Sequence, residues 1–216
     1  APTLLAAGYF ETVSVSKEDL LRADDYGARA KRIELQQSTR DLTSFLKSLE
    51  MEISFAPFDT VGRPRIVQLI NKSNQFNLTT HRYATTDIAR MEDDPLIHTL
   101  QVRLRDRFGD NGMVSVVICR ESSDIWEIDT WLMSCRVLGR GVEQAILNEI
   151  ARQADEHGAT ELLGQYIPSG RNELVRDHYE KLGFEASGDA WRLKLEGYCP
   201  ATVQMNIDRP APVKIR

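Results

Sequence analysis

The stretch from Asp129 to Val142 decides the fold; it reads Asp-Thr-Trp-Leu-Met-Ser-Cys-Arg-Val-Leu-Gly-Arg-Gly-Val. Its first half is the end of a predicted strand, about 125–133, that stops near Ser134. Its last residue begins a segment, 142–157, in which alanine and isoleucine recur at the helical period and which Gly158 closes. The stretch therefore predicts a strand, a turn and the start of a long amphipathic helix.

The turn inside this stretch has the composition of a phosphate-binding loop. Gly139 and Gly141 carry no side chain, so backbone N–H groups can approach an anion there, and the following helix N-terminus adds to the attraction. Arg136 and Arg140 would add charge-assisted donors. Two glycines also occur in ordinary strand-to-helix turns, so the pattern alone leaves both interpretations open.

The rest of the chain supplies further elements by periodicity. The turn at 109–112 favours a hairpin between two of the strands, and the tail after the last strand is rich in proline and predicts irregular structure. The predicted strands cover 51–55, 98–105, 113–120, 125–133, 160–166 and 191–195, and the predicted helices cover 64–70, 86–91, 142–157 and 172–182.

The spacing Arg-x-x-Gly-x-Gly at 136–141 resembles the acyl-CoA motif of the GNAT acetyltransferases, and the order of predicted elements is the one that this fold needs. The resemblance implies an α/β domain with a mixed, mostly antiparallel sheet flanked by helices and preceded by a helical arm at 16–49. It also implies a sheet that splays beside 129–134, so that a pantetheine amide can pair with the exposed strand edge. The residues that would hold acyl-CoA, acetyl-CoA or a carrier-bound phosphopantetheine thioester are Ser134, Arg136, Val137, Gly139, Arg140, Gly141 and Asn172.

Longer segments resemble one family, the FkbH-like proteins. They are the asparagine-rich string 71–83 (Asn-Lys-Ser-Asn-Gln-Phe-Asn-Leu-Thr-Thr-His-Arg-Tyr), 104–112, 129–142, 166–172 and 179–184. Members of this family join a haloacid-dehalogenase (HAD)-type phosphatase domain to a GNAT-like domain. They load a glycerate-derived three-carbon unit from 1,3-bisphosphoglycerate onto an acyl carrier protein, for example for methoxymalonyl-type polyketide extender units.

The sequence lacks one feature of that family. No Asp-x-Asp-x-[Thr/Val] phosphatase nucleophile occurs, so we expect no phosphatase activity and expect an upstream HAD-type phosphatase domain in a longer protein. The expected organisation is a linker and helical arm at 1–49, a GNAT-like domain at 50–196 and an irregular tail at 197–216. Two further hypotheses remain open: a non-catalytic module that docks the carrier protein, and a stand-alone N-acetyltransferase that uses acetyl-CoA.

Cys135 is a candidate nucleophile because it lies between the strand and the anion-binding turn, beside Arg136 and a helix N-terminus. Such surroundings lower the pKa of a thiol, and a thiolate can hold an acyl group as a thioester. An unpaired cysteine is as often a small core residue. Cys119 and Cys199 fit the core or tail interpretation better.

Three candidates lie on the predicted helix at 172–182. The resemblance implies that Tyr179 protonates a leaving thiolate, although packing beside Leu182 and Phe184 explains it as well. His178 is a candidate base or a solvated helix residue. Asn172 is expected either to bond the pantetheine chain or to cap the helix.

The asparagine-rich string is a candidate grip on a hydroxylated or phosphorylated acyl group, because it offers many donors and acceptors and little apolar surface. Its side chains could instead satisfy their own turns; the resemblance favours the binding role. The residues expected to contact the acyl group are Asn74, Gln75, Asn77, Thr79, Thr80, Arg82, Asp129 and Thr130.

Composition excludes several other classes. The net charge of −5 gives no broad nucleic-acid footprint, and no apolar run is long enough to cross a membrane. The cysteines and histidines show no metal-binding spacing, so we expect no metal. Three scattered cysteines fit a reducing compartment, and the expected location is the cytoplasm.

Overall fold

The computed structural model describes residues 27–28, 30–37 and 41–209, and these fall into two compact units that divide between Phe45 and Leu46. In the first unit, residues 30–37 are helical. Helix α1 (Leu42–Ser48) begins there, capped by Asp41, whose Oδ1 accepts the Ser44 N–H at 2.9 Å. The start predicted for the helical arm, near residue 16, lies outside the described residues.

The second unit is built on one mixed sheet. Its strand order is β6-β7-β5-β4-β3-β2-β1-β8, and the pairs β4–β5 and β1–β8 are parallel while the others are antiparallel. The strands are β1 Met51–Ala56, β2 Ile97–Asp106, β3 Gly109–Ser122, β4 Ile125–Met133, β5 Glu161–Gly164, β6 Glu185–Ser187, β7 Ala190–Lys194 and β8 Met205–Asp208. The helices are α2 Arg63–Lys72, α3 Thr85–Asp93, α4 Val142–Glu156 and α5 His178–Lys181.

Burial explains why these residues form these elements. Strand β3 is buried on both faces over most of its length, as a central strand must be. Helices α2 and α3 cover one face with an apolar cluster that includes Ile66, Ile88, Val116 and Leu132. The apolar stripe of α4 is buried, as its period predicted. The predicted α/β fold, with a mixed sheet flanked by helices, is confirmed.

Three local predictions were wrong. The β2–β3 turn consists of Arg107 and Phe108, because Asp106 pairs with Gly109 and bulges in the ladder absorb the glycines further on. The helix predicted at 172–182 is reduced to a 3₁₀ turn at Glu173–Val175 and the short α5. The tail is not irregular throughout, because β8 extends the sheet beside β1.

Candidate functional site

A β-bulge in β4 brings several polar side chains together. Thr130 pairs with Ile118 of β3, but Ile128 already pairs with Cys119, so Asp129 is one residue more than the ladder needs. A bulge bends its strand and re-aims the side chain of the extra residue, and bulges are common beside functional sites. Here it turns the Asp129 carboxylate toward side chains from β3 and from the loop before α3.

The Asp129 carboxylate is held by three donors. The Tyr83 hydroxyl donates to Oδ2 at 2.6 Å and the Thr130 hydroxyl donates to the same oxygen at 2.9 Å, while Arg120 Nε donates to Oδ1 at 3.1 Å. Burial alone would raise the pKa of Asp129, but these hydrogen bonds outweigh it and hold the pKa below its ordinary value. The carboxylate therefore stays ionised at neutral pH.

Two more side chains complete this group. Burial, together with the Asp129 carboxylate, raises the pKa of Tyr83 to about 12, so the phenol keeps its proton. His81 Nδ1 lies 3.6 Å from Asp129 Oδ1, and the His81 side chain is 39% exposed while that of Asp129 is 11% exposed. We call His81, Tyr83, Arg120, Asp129 and Thr130 the Asp129 cluster.

The sheet splays where it was predicted to, but the gap is filled. Strands β4 and β5 pair only from Ile125 to Ile128 of β4. Beyond that point the segment 76–78 lies along β4: the Leu78 N–H donates to the Trp131 carbonyl and the Met133 N–H donates to the Phe76 carbonyl, both at 3.1 Å. The strand edge expected to take a pantetheine amide is thus occupied by the chain's own backbone.

Two side chains and one backbone N–H also bind this segment. The Thr79 hydroxyl donates to the Asp129 carbonyl at 2.8 Å, and the Ile167 N–H donates to the Leu78 carbonyl at 2.8 Å. Asn172 Nδ2 donates to the Asn77 carbonyl at 2.9 Å. A CoA molecule laid along this edge of β4 does not fit this structure, because its amides would need the groups that residues 76–79 already use.

Asn172 does not cap the helix, and its predicted bond to a pantetheine chain stays a prediction. Its side chain is fully buried, donates to the Ile167 carbonyl at 3.0 Å and accepts the Ser169 N–H at 2.9 Å. It makes no side-chain cap bond to the 3₁₀ turn that follows it. Its contacts join the asparagine-rich string to the loop after β5.

The other predicted acyl-binding residues behave unequally. Thr79 and Thr130 reach Asp129, but Asn77 accepts the Thr80 N–H at 2.8 Å and so closes its own turn. The remaining three lie on the outer part of the loop: Arg82 donates to the Ile70 carbonyl and to Asn74 Oδ1, and Gln75 is exposed.

The glycine turn has the predicted backbone shape. After a 3₁₀ turn at Cys135–Val137, Gly139 and Gly141 adopt φ of 72° and 82°, which side chains disfavour, and α4 begins at Val142. A Cβ on Gly139 would meet nothing within 4 Å, so the turn is open on that side. Burial raises the pKa of Glu143, and the nearby N–H groups of Gly139 and of Glu143 itself only partly offset this effect.

The two predicted phosphate-binding arginines also make contacts within the chain. Arg140 Nη1 lies 3.1 Å from Asp106 Oδ2, whose side chain is fully buried, and Arg140 Nη2 donates to the Arg136 carbonyl at 2.9 Å. Arg136 donates to the Asn111 carbonyl at 2.9 Å. These bonds tie the turn to the β2–β3 hairpin, and an anion here would have to share the guanidinium groups.

Cys135 is exposed and belongs to no disulfide, whereas Cys119 is fully buried and burial raises the pKa of its thiol. Two residues near Cys135 that were predicted to bind the cofactor instead make contacts within the fold. The Ser134 N–H donates to the Val114 carbonyl at 2.7 Å, and the Val137 side chain is buried. Asp129 lies six residues earlier, about 20 Å away along an extended strand. Cys135 and the Asp129 cluster are therefore separate positions.

Tyr179 and His178 lie in the core behind residues 76–78. The Tyr179 ring has no exposed surface, and its hydroxyl faces the Gln165 N–H without reaching hydrogen-bonding geometry. The His178 ring contacts Trp131 and Phe76 edge-on, with centroid distances of 4.6 Å and 5.0 Å. In this arrangement both side chains pack, and neither reaches the surface as a proton donor or base; their catalytic roles stay predictions.

Acid is expected to destabilise the fold through His178. Burial lowers its pKa from 6.5 to about 4, and Lys181 contributes. Between these two pKa values His178 is protonated in the unfolded chain but not in the folded one. The free energy of unfolding therefore falls as the pH drops through this range, by about 3 kcal/mol in total. Chemical denaturation of wild type and His178→Phe at pH 7 and pH 4 measures this. We expect the wild type to lose more stability than the variant, and an equal loss would contradict the assignment.

The described residues include no group of three or more histidine, cysteine or acidic side chains placed to hold a metal ion. Within the same part of the chain, no helix is long and apolar enough to cross a membrane.

Comparisons with known proteins agree with this fold. No family model matches the sequence, and no curated protein matches it either. Among solved structures, the chain is similar to a protein of the GNAT family from Desulfovibrio desulfuricans (14% identity, 66% of this chain and 99% of that one, TM-score 0.51). It is also similar to the ribosomal-protein-S18-alanine N-acetyltransferase of Escherichia coli (14%, 66% and 94%, 0.50) and to the spermidine N-acetyltransferase of Vibrio cholerae in complex with CoA and spermine (11%, 67% and 96%, 0.51).

At these identities the similarity shows the fold, and the chain has the GNAT acetyltransferase fold. The Asp129 cluster contains two of the predicted site residues, Asp129 and Thr130. Sequence reasoning missed its other members, although His81 and Tyr83 both lie in the asparagine-rich string that it singled out.

Proposed function

We propose that this domain is an acyltransferase that moves a glycerate-derived acyl group to or from the phosphopantetheine thiol of an acyl carrier protein. The observation that carries the proposal is the Asp129 cluster, a polar group of side chains fixed around an ionised carboxylate at the bulge of β4. It lies beside the splay of a sheet whose fold is that of acyltransferases.

The chemistry of the cluster suits a small hydroxylated acyl group. The Tyr83 and Thr130 hydroxyls donate their protons to Asp129, so their oxygens are left to accept from a substrate hydroxyl. Asp129 is a further acceptor, and Arg120 has guanidinium N–H groups besides the Nε–H that binds Asp129. Polar groups held in place discriminate strongly between a substrate that carries matching hydroxyls and one that lacks them, because the latter leaves buried groups unpaired. A glyceryl group offers two hydroxyls and a carbonyl to such a site.

The resemblance to FkbH-like proteins supports the same assignment. The segment 71–83, in which that resemblance is most specific, is the one that crosses to β4 and contributes His81 and Tyr83 to the cluster. The proposal includes two further points. The three-carbon unit is loaded onto a carrier protein, and an upstream phosphatase domain prepares its donor.

The filled splay bears on the route of the substrate. Since residues 76–78 occupy the edge of β4, the thioester has to reach the cluster from the side on which His81 is exposed. The proposal includes no bound CoA, because residues 76–78 occupy the edge of β4 along which CoA would bind.

Cys135 offers a second step within the proposal. An exposed thiol can accept the acyl group and pass it on with one thioester formed for each one broken. Since it lies about 20 Å from the bulge, an acyl group on Cys135 would mark a covalent relay that is separate from transfer at the cluster.

Thioester exchange tests the proposal without knowledge of the carrier. The protein is incubated with glyceryl-S-phosphopantetheine and isotope-labelled phosphopantetheine, and mass spectrometry follows both label exchange and protein adducts. Exchange above the buffer rate is expected from the wild type. The relay is established if both the adduct and the exchange are lost in Cys135→Ala. Both should be kept in the control Cys199→Ala, which removes another exposed cysteine. Exchange that survives Cys135→Ala establishes direct transfer, and the absence of exchange overturns the proposal.

A second candidate function is a non-catalytic module that docks the carrier protein. The filled β4 edge favours it, because the place predicted for a thioester arm along that strand is occupied by residues 76–78. It predicts binding of a carrier protein without exchange or adduct.

A stand-alone N-acetyltransferase would instead release a thiol from acetyl-CoA when amines are added. The filled edge of β4 argues against this function, because it leaves no room for CoA along that strand.

A further inference from the structure

We infer that His81 is the proton-transfer residue of the Asp129 cluster and that Asp129 orients it; this rests on the proposed acyl transfer. Nδ1 of His81 is covered from solvent and has no hydrogen-bond partner among the described residues, and Asp129 Oδ1 lies 3.6 Å from it. The side chain is 39% exposed, and Nδ1 is its buried nitrogen without a partner whereas Nε2 is not, so we infer that the open edge carries Nε2. This arrangement is that of a histidine backed by a carboxylate and open to a substrate.

The other members of the cluster cannot take a proton at neutral pH. Asp129 is ionised but already accepts three hydrogen bonds, which hold its pKa low. Tyr83 keeps its proton, because its pKa is raised to about 12. Arg120 is permanently charged. Burial alone would lower the pKa of its guanidinium group, but Asp129 and Tyr83 outweigh burial and raise it. In this set, the imidazole of His81 is the side chain whose ring nitrogen can accept a proton from a thiol and return it.

The charges around His81 suit this role. The Asp129 carboxylate stabilises the imidazolium that forms during transfer, and the Arg120 guanidinium, bound to the same carboxylate oxygen, weakens that stabilisation. The Tyr83 ring contacts the imidazole edge-on, with centroids 6.3 Å apart, and limits its rotation. The Asp129 carboxylate and the Tyr83 ring are therefore the two neighbours that we infer orient the imidazole.

The step balances without any further reagent. Nε2 of neutral His81 takes the proton of the incoming thiol. The sulfur of that thiol then attacks the carbonyl carbon of the thioester. The new C–S bond forms, the old one breaks, and the departing thiolate takes the proton back from Nε2. One thioester replaces another, and Asp129 remains ionised throughout.

The exchange assay above, run from pH 5 to pH 9, tests the inference. In His81→Gln we expect the exchange rate to fall by a factor of about 10² to 10⁴ and the rise of rate with pH below neutrality to disappear. In His81→Ala, added imidazole is expected to restore part of the rate. The matched control is His157→Gln, an exposed histidine at the end of α4, which is expected to leave the rate unchanged.

The outcomes separate the two levels of the account. Absence of exchange by the wild type overturns the proposed function. Exchange by the wild type with an unchanged rate and pH profile in His81→Gln, or without imidazole rescue of His81→Ala, overturns the role of His81 and leaves acyl transfer standing. A surface ion pair with no role in proton transfer would produce this second pattern.

Discussion

Gly164→Ala is expected to destabilise the protein by about 3 kcal/mol, since a rigid, fully packed contact leaves no room for a methyl group. The Cβ would lie 2.3 Å from Cζ and 2.4 Å from Cε1 of Tyr179. That ring has no exposed surface and is confined by Phe184, whose ring centroid is 4.9 Å away, and by Trp131. Chemical denaturation of the purified variant measures the change.

A double-mutant cycle shows whether the contact is the cause. Tyr179→Ala costs about 3 to 5 kcal/mol by itself, but it removes the obstacle, so Gly164→Ala should cost little in that background. Tyr179→Phe keeps the clashing ring and should leave the cost of Gly164→Ala unchanged. Gly27→Ala is the control, because a Cβ there meets nothing within 4 Å. Equal costs of Gly164→Ala with and without the Tyr179 ring would contradict this packing.

Asp129→Ala is the second large change that we expect, with a loss of about 2 to 3 kcal/mol in the free energy of unfolding and loss of thioester exchange. The substitution leaves the Tyr83 hydroxyl, the Thr130 hydroxyl and the Arg120 guanidinium without their shared acceptor. The estimate stays below that for a fully buried pair because Arg120 is 40% exposed.

The control for Asp129 is Asp177→Ala. Asp177 forms an exposed pair with Lys181 at 3.9 Å, and such pairs contribute little to stability. Because the hydrogen bonds lower the pKa of Asp129 against burial, its contribution is present above the carboxyl pKa of the unfolded chain and is lost as the pH falls through the folded value. The stability difference between wild type and Asp129→Ala should therefore shrink below about pH 4. An unchanged difference would contradict an ionised Asp129.

Most of the fold could be predicted because its signals are local. The alternation in β4, the glycines before α4 and the stripe Ala145, Ile146, Ile150 and Ala154 each lie within one element, and each was found where expected. The 172–182 helix failed because residues 166–172 are committed to contacts with the asparagine-rich string, and periodicity contains no information on such long-range bonds.

The site was harder to predict for two physical reasons. The bulge at Asp129 adds one residue to a strand without breaking its apolar pattern, so nothing in the sequence marks which side chain it re-aims. The partners of Asp129 lie far apart in the chain, with Tyr83 46 residues away. Pairing of 76–78 with β4 is likewise a matter of register between distant segments, which sequence patterning specifies weakly.

The most direct test is backbone and side-chain NMR of the protein titrated with glyceryl-S-phosphopantetheine. If the Asp129 cluster binds the acyl group, resonances of His81, Tyr83, Arg120 and Thr130 will shift, while the amides of Leu78 and Met133 stay protected from exchange. If those two amides lose protection and the cluster does not respond, the thioester has displaced residues 76–78 and lies along β4. That result would contradict the assignment of the Asp129 cluster as the acyl site.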